Sequence, residues 1–158
     1  MRYRLADSGD IPAMARLRAA TWGDEEYWKP RIAGYMSGQH DPRQALKPRV
    51  AYVATDGGTV VGLIAGHLTR RYGCDGELQW IDVAPEHRGQ GVASGLLCEL
   101  AAWFVQQGAL RVCVDVEPGN LVAHRFYHRH GAVVLKPSWL VWEDIREVLK
   151  KHNLNGAP

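Results

Sequence analysis

The sequence has no long hydrophobic run and little imbalance of charge, and each absence argues against a class of protein. No stretch of ~18 or more apolar residues occurs and the first residues are polar, so neither membrane spanning nor export is expected. The formal net charge is only +2, with acidic and basic residues interleaved, unlike the one-sided field of a nucleic-acid-binding protein. We therefore expect a cytoplasmic protein with neither a nucleic-acid nor a membrane partner.

Cysteine is scarce, which argues against disulfide frameworks and zinc sites. Cys74, Cys98 and Cys113 are widely spaced and form no CxxC pair, so we expect reduced, mostly structural thiols. His124 and His128 fall on one face of a predicted helix, the spacing of a metal pair, but no third ligand accompanies them. The sequence therefore predicts no metal site.

The chain of 158 residues suits one domain, and no repeat or linker divides it. Apolar runs at 50–55 and 60–67 flank an Asp-Gly-Gly turn, which predicts a β-hairpin, and the spacing of 92–107 predicts a long helix. The remaining patterns predict further strands and helices in one α/β sheet. We assign residues 1–150 to a single domain and residues 151–158 to a frayed C-terminal tail.

The most informative segment is VAPEHRGQGVASGLL, residues 83–97, in which a strand ends and a glycine-rich turn opens into the long helix. Gly89 and Gly91 permit close backbone approach, and the free N–H groups of a helix N-terminus attract an anion such as a pyrophosphate. The segment lacks the GK[ST] of a nucleotide-triphosphate loop and the spacing of a dinucleotide fingerprint. A glycine turn that merely starts a helix is the simpler alternative.

Two motifs resemble the GNAT superfamily of N-acetyltransferases. The first is Arg88, Gly91 and Ala93 in RxxGxA spacing, and the second is NxxAxxFY at 120–127, followed by His-Gly-Ala at 130–132. The resemblance covers roughly residues 50–142. It implies a single-domain α/β (α+β) fold with a mostly antiparallel mixed sheet of about six to seven strands, splayed at strands 4 and 5 and flanked by about four helices.

The resemblance also implies acetyl-CoA as cosubstrate, with no metal. The residues it assigns to the coenzyme belong to the strand, the turn and two helices that follow: Ile81, Asp82, Val83, Arg88, Gly89, Gln90, Gly91, Val92, Ala93, Ser94, Asn120 and Tyr127. Asn120 follows Pro-Gly and is equally suited to cap a helix.

The resemblance places two catalytic residues. Tyr127 corresponds to the tyrosine that donates a proton to the coenzyme sulfur, and a phenol is a plausible acid toward a thiolate. Glu77 corresponds to the glutamate that deprotonates the amine through water, for which burial would have to raise its pKa. Asp82 is the alternative base. A backbone N–H at a bulge near Asp82 or Val83 is expected to stabilise the oxyanion.

The acceptor is the least determined part. The segment TWGDEEYW, residues 21–28, is acidic and aromatic, so Trp22, Glu25, Glu26 and Trp28 are expected to bind a cationic amine. A capped helix start with core tryptophans explains the same residues. A small-molecule amine is the favoured acceptor, with a protein lysine or N-terminus and a non-catalytic acyl-CoA sensor as alternatives. The family resemblance also allows a homodimer through residues 139–142.

Overall fold

The computed structural model describes the backbone of residues 1–156 and the side chains of residues 1–153. The strands are β1 (Arg2–Leu5), β2 (Ala45–Asp56), β3 (Thr59–Thr69), β4 (Gly76–Val83), β5 (Val112–Asp115), β6 (Val133–Lys136) and β7 (Trp139–Trp142). The α-helices are α1 (Ile11–Ala19), α2 (Glu25–Ser37), α3 (Val92–Gln106), α4 (Leu121–Arg129) and α5 (Arg146–Gly156). The strands form one sheet in the order β1-β2-β3-β4-β5-β7-β6, in which only β4 and β5 are parallel.

This topology confirms the predicted mixed sheet. The hairpin of β2 and β3 turns at Gly57 and Gly58, whose φ angles of 56° and 86° are ones that side chains with a Cβ rarely adopt. Both strands are longer than the sequence runs indicated, because pairing in the long hairpin carries the ladder beyond the apolar stretch. The sheet therefore has a rigid centre in β2, β3 and β4, which is the part that positions the site.

The two faces of the sheet are covered by different helices. On one face α1 and α2 bury Met14 and Ile32 against Leu63. On the other, α3 buries Leu100 and Phe104 in the larger core cluster. Each such side chain stabilises the fold by about 1.5 to 3 kcal/mol relative to leaving it exposed. A Cβ at Gly76, the first residue of β4, would collide with the Phe104 ring, so glycine there lets α3 pack close to the sheet.

The C-terminal segment adds a further helix. Helix α5 runs to Gly156, across the expected boundary at residue 150, and it is the fifth α-helix of the described chain. Ile145 and Val148 are buried in the larger core cluster and anchor this helix. The many charged residues of the segment made the helix hard to predict from the sequence. Residues 157 and 158 of the predicted tail lie outside the described residues. Through Gly156, none of the helices combines the length and the apolarity needed to cross a membrane.

The proposed dimer surface at residues 139–142 is not available, which corrects the sequence prediction. Strand β7 lies inside the sheet between β5 and β6, and Leu140, Val141 and Trp142 are buried within their own chain. Trp142 packs into the core, where its ring meets that of Tyr127 at 5.5 Å, and Trp139 is only partly exposed. The outer edge of this half of the sheet is β6.

Candidate active site

Strands β4 and β5 form a V-shaped opening, as the resemblance implied. They pair only through Gly76–Leu78 and Val112–Val114, after which β4 continues alone to Val83. Backbone groups on that edge of β4 therefore have no strand partner in β5. The turn into α3 and the start of α4 follow directly from the open ends of these two strands. The elements assigned to the coenzyme thus meet at the mouth of the V.

The glycine-rich turn has the conformation expected for close approach of a ligand. Gly89 and Gly91 have φ angles of 75° and 82°, and a Cβ at either position would meet no atom within 4 Å. Arg88 donates from Nε to the carbonyl of Val83 at 3.2 Å, and Gln90 donates to the carbonyl of Glu86 at 3.2 Å. The first bond holds the turn to the end of β4 and the second closes the turn on itself, while its glycines stay exposed.

The N-terminus of α3 has the features of an anion site. The helix begins at Val92, after Gly91 in the left-handed region, and no side chain caps its free N–H groups. Three amides of the first turn and the positive end of the helix dipole therefore point toward the turn. The Ser94 hydroxyl lies in this first turn, 3.0 Å from Nε2 of buried His130. His130 was not predicted from the sequence as a partner of this turn.

Tyr127 and Asn120 both lie on α4. The Asn120 side chain accepts a hydrogen bond from the Ala123 N–H at 3.1 Å, which confirms its role as an N-cap. Tyr127 is only 4 % exposed, and burial, helped by the negative charge of Asp82, raises the pKa of its phenol above its usual range. The Tyr127 hydroxyl has no hydrogen-bond partner within the described residues, and it keeps some contact with solvent. The phenol is thus a protonated group whose tip retains solvent contact.

Glu77 is buried at the closed end of the V, where it faces Cys113 of β5. Its Oε1 accepts from Arg71 Nε at 3.0 Å and from the Thr69 hydroxyl at 3.4 Å. Burial raises the pKa of Glu77 above its usual value, partly offset by Arg71, and the charge of Asp115 raises it further. Its Oε2 has no hydrogen-bond partner in the described region and is not among the enclosed polar atoms. One carboxylate oxygen is therefore anchored and the other is free.

Asp82 lies in the open part of the V but is fully engaged. Its Oδ2 accepts from Arg18 at 2.8 Å and its Oδ1 from the Thr21 hydroxyl at 3.3 Å. Burial raises the pKa of Asp82, and the charge of Arg18 works against that rise. The bulge in β4 leaves Gln79 without a partner, because Trp80 pairs with Ala65 and Leu78 with Gly66.

The position of this bulge corrects the prediction, which placed it near Asp82 or Val83. Asp82 and Val83 both keep regular pairing with β3. The bulge brings Trp80 onto the same face of β4 as Glu77 and Asp82, the face covered by α1 and α2. A bulge depends on the register between two strands, so the sequence of β4 alone did not locate it.

The four predicted acceptor residues occupy different surroundings. Trp22 is 59 % exposed, whereas Trp28 is buried and donates from its indole to the carbonyl of Trp22 at 2.6 Å. Glu25 and Glu26 lie in the first turn of α2, which Asp24 caps, and Glu26 pairs with Lys29 at 2.9 Å. Glu26 also lines an open groove of about 400 Å³ with Tyr27, Pro30, Arg31 and His40. The capped helix start is therefore present, and Trp22 is the ring that remains accessible.

Two arginines that the sequence analysis did not assign complete the site. The guanidinium of Arg18 lies 4.4 Å from the centroid of the Trp28 ring, and that of Arg71 lies 4.7 Å from the Trp139 ring. Arg18 and its partner Asp82 are 64 positions apart, so no local pattern marks the pair. Arg71 lies in the loop before β4, and its contact with Glu77 makes it part of the site.

The histidines of α4 bind the backbone. His124 Nε2 lies 3.0 Å from the carbonyl of Glu117, and His128 Nδ1 lies 2.8 Å from the carbonyl of Ala132. Each ring therefore has its own partner, and the pair does not converge on one point. Over residues 1–153 no group of three His, Cys, Asp or Glu side chains is arranged to hold a metal ion.

Comparisons with known proteins agree with this geometry. The model of the Acetyltransferase (GNAT) family matches residues 14–132. An uncharacterized N-acetyltransferase of Mycobacterium tuberculosis is 32% identical over 120 residues, which cover 76% of this chain and 70% of that protein. Residues 14–132, which match the family model, include Arg18, Arg71, Glu77, Asp82 and the glycine-rich turn.

Solved structures show the same fold at lower identity. An aminoglycoside 6′-N-acetyltransferase of Acinetobacter haemolyticus superposes with a TM-score of 0.73 at 20% identity, covering 86% of this chain and 93% of that one. The ribosomal-protein-S18-alanine N-acetyltransferase of Escherichia coli gives 0.67 at 16% identity, covering 85% and 79%. An N-acetyltransferase of Thermoplasma acidophilum in complex with coenzyme A gives 0.67 at 18% identity, covering 89% and 95%.

Proposed function

Since this chain belongs to the GNAT family of acetyltransferases, we propose that it transfers an acetyl group from acetyl-CoA directly to a primary amine of a small molecule. Membership establishes an acyl-CoA-dependent N-acyltransferase. The observation that carries the proposal is the uncapped start of α3 at the mouth of the V, with the Tyr127 phenol and the free oxygen of Glu77 on neighbouring elements.

The residues at the mouth of the V fit coenzyme A. Uncapped amides of the α3 first turn suit a pyrophosphate, and open space at Gly89 and Gly91 lets it reach them. The unpaired edge of β4 suits the amides of pantetheine, which can bond to it as another strand would. The proposed set is Ile81, Asp82, Val83, Arg88, Gly89, Gln90, Gly91, Val92, Ala93, Ser94, Asn120 and Tyr127. Asp82 contributes its backbone, because Arg18 and Thr21 occupy its carboxylate.

Bound acetyl-CoA supplies the acetyl thioester that the amine attacks. Glu77 accepts one proton from the acceptor ammonium through water, at the oxygen that Arg71 leaves free. Tyr127, whose raised pKa keeps its phenol protonated, donates its proton to the departing sulfur, and the second proton that the amine loses as the amide forms restores the phenol through water. Backbone N–H groups on the open edge of β4 are available to the developing oxyanion.

A cationic small amine fits the walls of this site. Glu77 and Asp82 lie on one face of β4 with Trp80 between them, and exposed Trp22 lies in edge contact with Trp28 at 5.8 Å. The free oxygen of Glu77 and the exposed indole face of Trp22 both favour a cation, the indole by about 0.5 to 2 kcal/mol. A protein lysine or N-terminus is the second candidate, favoured by the likeness of fold to the S18-alanine enzyme. A sensor without transfer activity is disfavoured because the acid and the base are both present.

The test measures free thiol released from acetyl-CoA with a panel of polyamines, amino acids, aminoglycosides and short peptides. We expect release with one class of small amine, and a fall in kcat of about 10²-fold in Tyr127→Phe, because the departing thiolate loses its proton donor. A parallel titration measures acetyl-CoA binding. Turnover of peptides alone would support the second candidate, tight binding without turnover would support the sensor, and absence of binding would reject the proposal.

A further inference from the structure

A buried histidine faces the proposed base and plays no part in the mechanism above. His67 on β3 is fully buried, with Nδ1 2.9 Å from the Tyr35 hydroxyl of α2. Its Nε2 is enclosed and has no hydrogen-bond partner in the described chain, and it lies 3.9 Å from Oε1 of Glu77. A buried polar atom left unpaired costs about 1 to 3 kcal/mol, so its orientation toward a carboxylate needs an explanation.

The charges around His67 keep its ring neutral. Burial, together with the cations Arg49 on β2 and Arg71 before β4 and against a smaller rise from Asp41, lowers the pKa of His67 to about 4. Burial also raises the pKa of Tyr35, so its phenol keeps its proton. Both members of the pair are therefore uncharged at neutral pH, and Glu77 is the anion that faces them from β4.

Only one arrangement of protons suits these neighbours. If Nδ1 carried the proton, the lone pair of Nε2 would point at the negative oxygen of Glu77, which is repulsive. If Nε2 carries it, the Tyr35 hydroxyl donates to Nδ1 and the Nε2–H dipole points at Oε1. The carboxylate and the tyrosine thus favour the same neutral tautomer from opposite sides of the ring.

We propose that Tyr35 and His67 are positioning residues for Glu77: Tyr35 fixes the tautomer of His67, and the Nε2–H of His67 directs proton uptake to Oε2. Oε1 already accepts hydrogen bonds from Arg71 and Thr69 and has the Nε2–H of His67 at 3.9 Å, so it is a poor site for an incoming proton. The proton taken from the amine therefore goes to Oε2. This inference rests on the proposed role of Glu77 as base.

The direct test is the protonation of the His67 ring, read from long-range ¹H–¹⁵N imidazole spectra of the native protein. We expect a neutral ring with its proton on Nε2 from neutral pH down to about pH 5. In Tyr35→Phe we expect a mixture of tautomers, because the donor to Nδ1 is gone. A proton on Nδ1 in the native protein would overturn the proposal, as would an unchanged spectrum in Tyr35→Phe.

The second test is the pH profile of kcat/KM in His67→Leu and His67→Gln, with acetyl-CoA affinity and melting temperature as controls for folding. Loss of the N–H in His67→Leu raises the pKa of Glu77, so the acid limb moves upward by about one pH unit. Gln restores an N–H donor and returns the limb toward its native position.

The two failures are distinguishable. If Glu77→Gln leaves the acid limb unchanged, the assignment of the base is wrong. If Glu77→Gln abolishes the limb but His67→Leu leaves it in place, the base stands and the positioning pair is rejected. Equal upward shifts in His67→Leu and His67→Gln would also reject it, because a structural role alone does not require the N–H.

Discussion

Glu77 and Asp82 lie on the same face of β4 and have the same kind of partner, yet their surroundings differ in one respect. Each is paired with an arginine that lies over a tryptophan ring, Arg71 over Trp139 and Arg18 over Trp28. Arg71 binds Glu77 through Oε1 only, whereas Arg18 and Thr21 together occupy both oxygens of Asp82. One carboxylate keeps an oxygen for chemistry, and the other has both oxygens engaged.

This difference is the reason for proposing Glu77, and not Asp82, as the base. Burial raises the pKa of both carboxyls, so a raised pKa by itself does not identify the base. A base also needs an oxygen within reach of the acceptor or of a bridging water. In the proposed mechanism the free Oε2 of Glu77 serves this purpose, whereas Asp82, in the open part of the V, ties α1 to β4 through Arg18.

The largest expected effect comes from removing each charge in turn. We expect Glu77→Gln to lower kcat by about 10²- to 10⁴-fold, because the amine loses its proton acceptor. Asp82→Asn should lower it by roughly tenfold or less, because it alters a wall of the site and not the proton path. Steady-state thiol release with the best acceptor of the panel measures both.

Acetyl-CoA affinity is the control, and it should stay near the native value in both variants. The opposite ranking, with Asp82→Asn the more damaging and Glu77→Gln nearly native, would reverse the two assignments. Equal losses would mean that the two carboxylates act together in one proton path.

The second comparison concerns the two arginines, and it is measured as the free energy of unfolding. Arg18→Met removes the cation from Asp82, whose side chain is only 9 % exposed, and we expect a loss of about 3 kcal/mol in the free energy of unfolding. Arg71→Met leaves Glu77 with the Thr69 bond at Oε1 and with Oε2 in contact with solvent, so a loss of about 1 kcal/mol is expected. Urea unfolding measures both, and Arg18→Met with Asp82→Asn should recover most of the larger loss. Equal losses in the single variants would contradict the difference between one free oxygen and none.

The pH dependence of Arg18→Met follows from the direction of the shift. Burial already raises the pKa of Asp82 in the native fold, and loss of the Arg18 charge raises it further. A carboxyl with a raised pKa binds its proton more tightly folded than unfolded, so stability falls as pH rises through the folded pKa. The difference in the free energy of unfolding between the native protein and Arg18→Met should therefore shrink as the pH is lowered from 7 toward 5. A constant difference would mean that lost packing, not charge, is responsible.

What the sequence could predict was local, and what it missed depends on distance along the chain. The turn from Arg88 into α3 and the cap at Asn120 are encoded within a few residues, so their structures were expected correctly. The Arg18–Asp82 pair joins positions 64 apart, and the Tyr35–His67 contact joins positions 32 apart. Such pairs depend on how the sheet assembles, and no spacing rule describes them.

The same limit explains why Glu77 but not Arg71 was assigned. Glu77 holds a fixed position on the strand before the coenzyme turn, so the resemblance located it. Arg71 lies in an irregular loop in which Tyr72 has a φ of 51°, and that backbone turns the arginine toward β4. A neighbouring arginine, Arg70, looks equivalent in the sequence. Only the folded loop distinguishes the two.

The smallest expected effect concerns Trp22, and it distinguishes binding from chemistry. Its ring is 59 % exposed and touches Tyr27 and Trp28 by its edges, at 4.9 and 5.8 Å between centroids. Trp22→Ala should therefore cost little stability. It should raise the acceptor KM by about 2- to 5-fold, the value of one exposed cation–π contact of about 0.5 to 1 kcal/mol.

Trp22→Phe is the matched control, because it keeps an aromatic face and should recover part of the affinity. Neither variant should change kcat, since neither alters Glu77 or Tyr127. Glu77 would then act on kcat and Trp22 on KM, the separation expected when one residue serves the transition state and another serves binding alone. An unchanged KM in Trp22→Ala would place the acceptor against other groups, and Trp80, which lies between the two carboxylates on β4, would be the next ring to substitute.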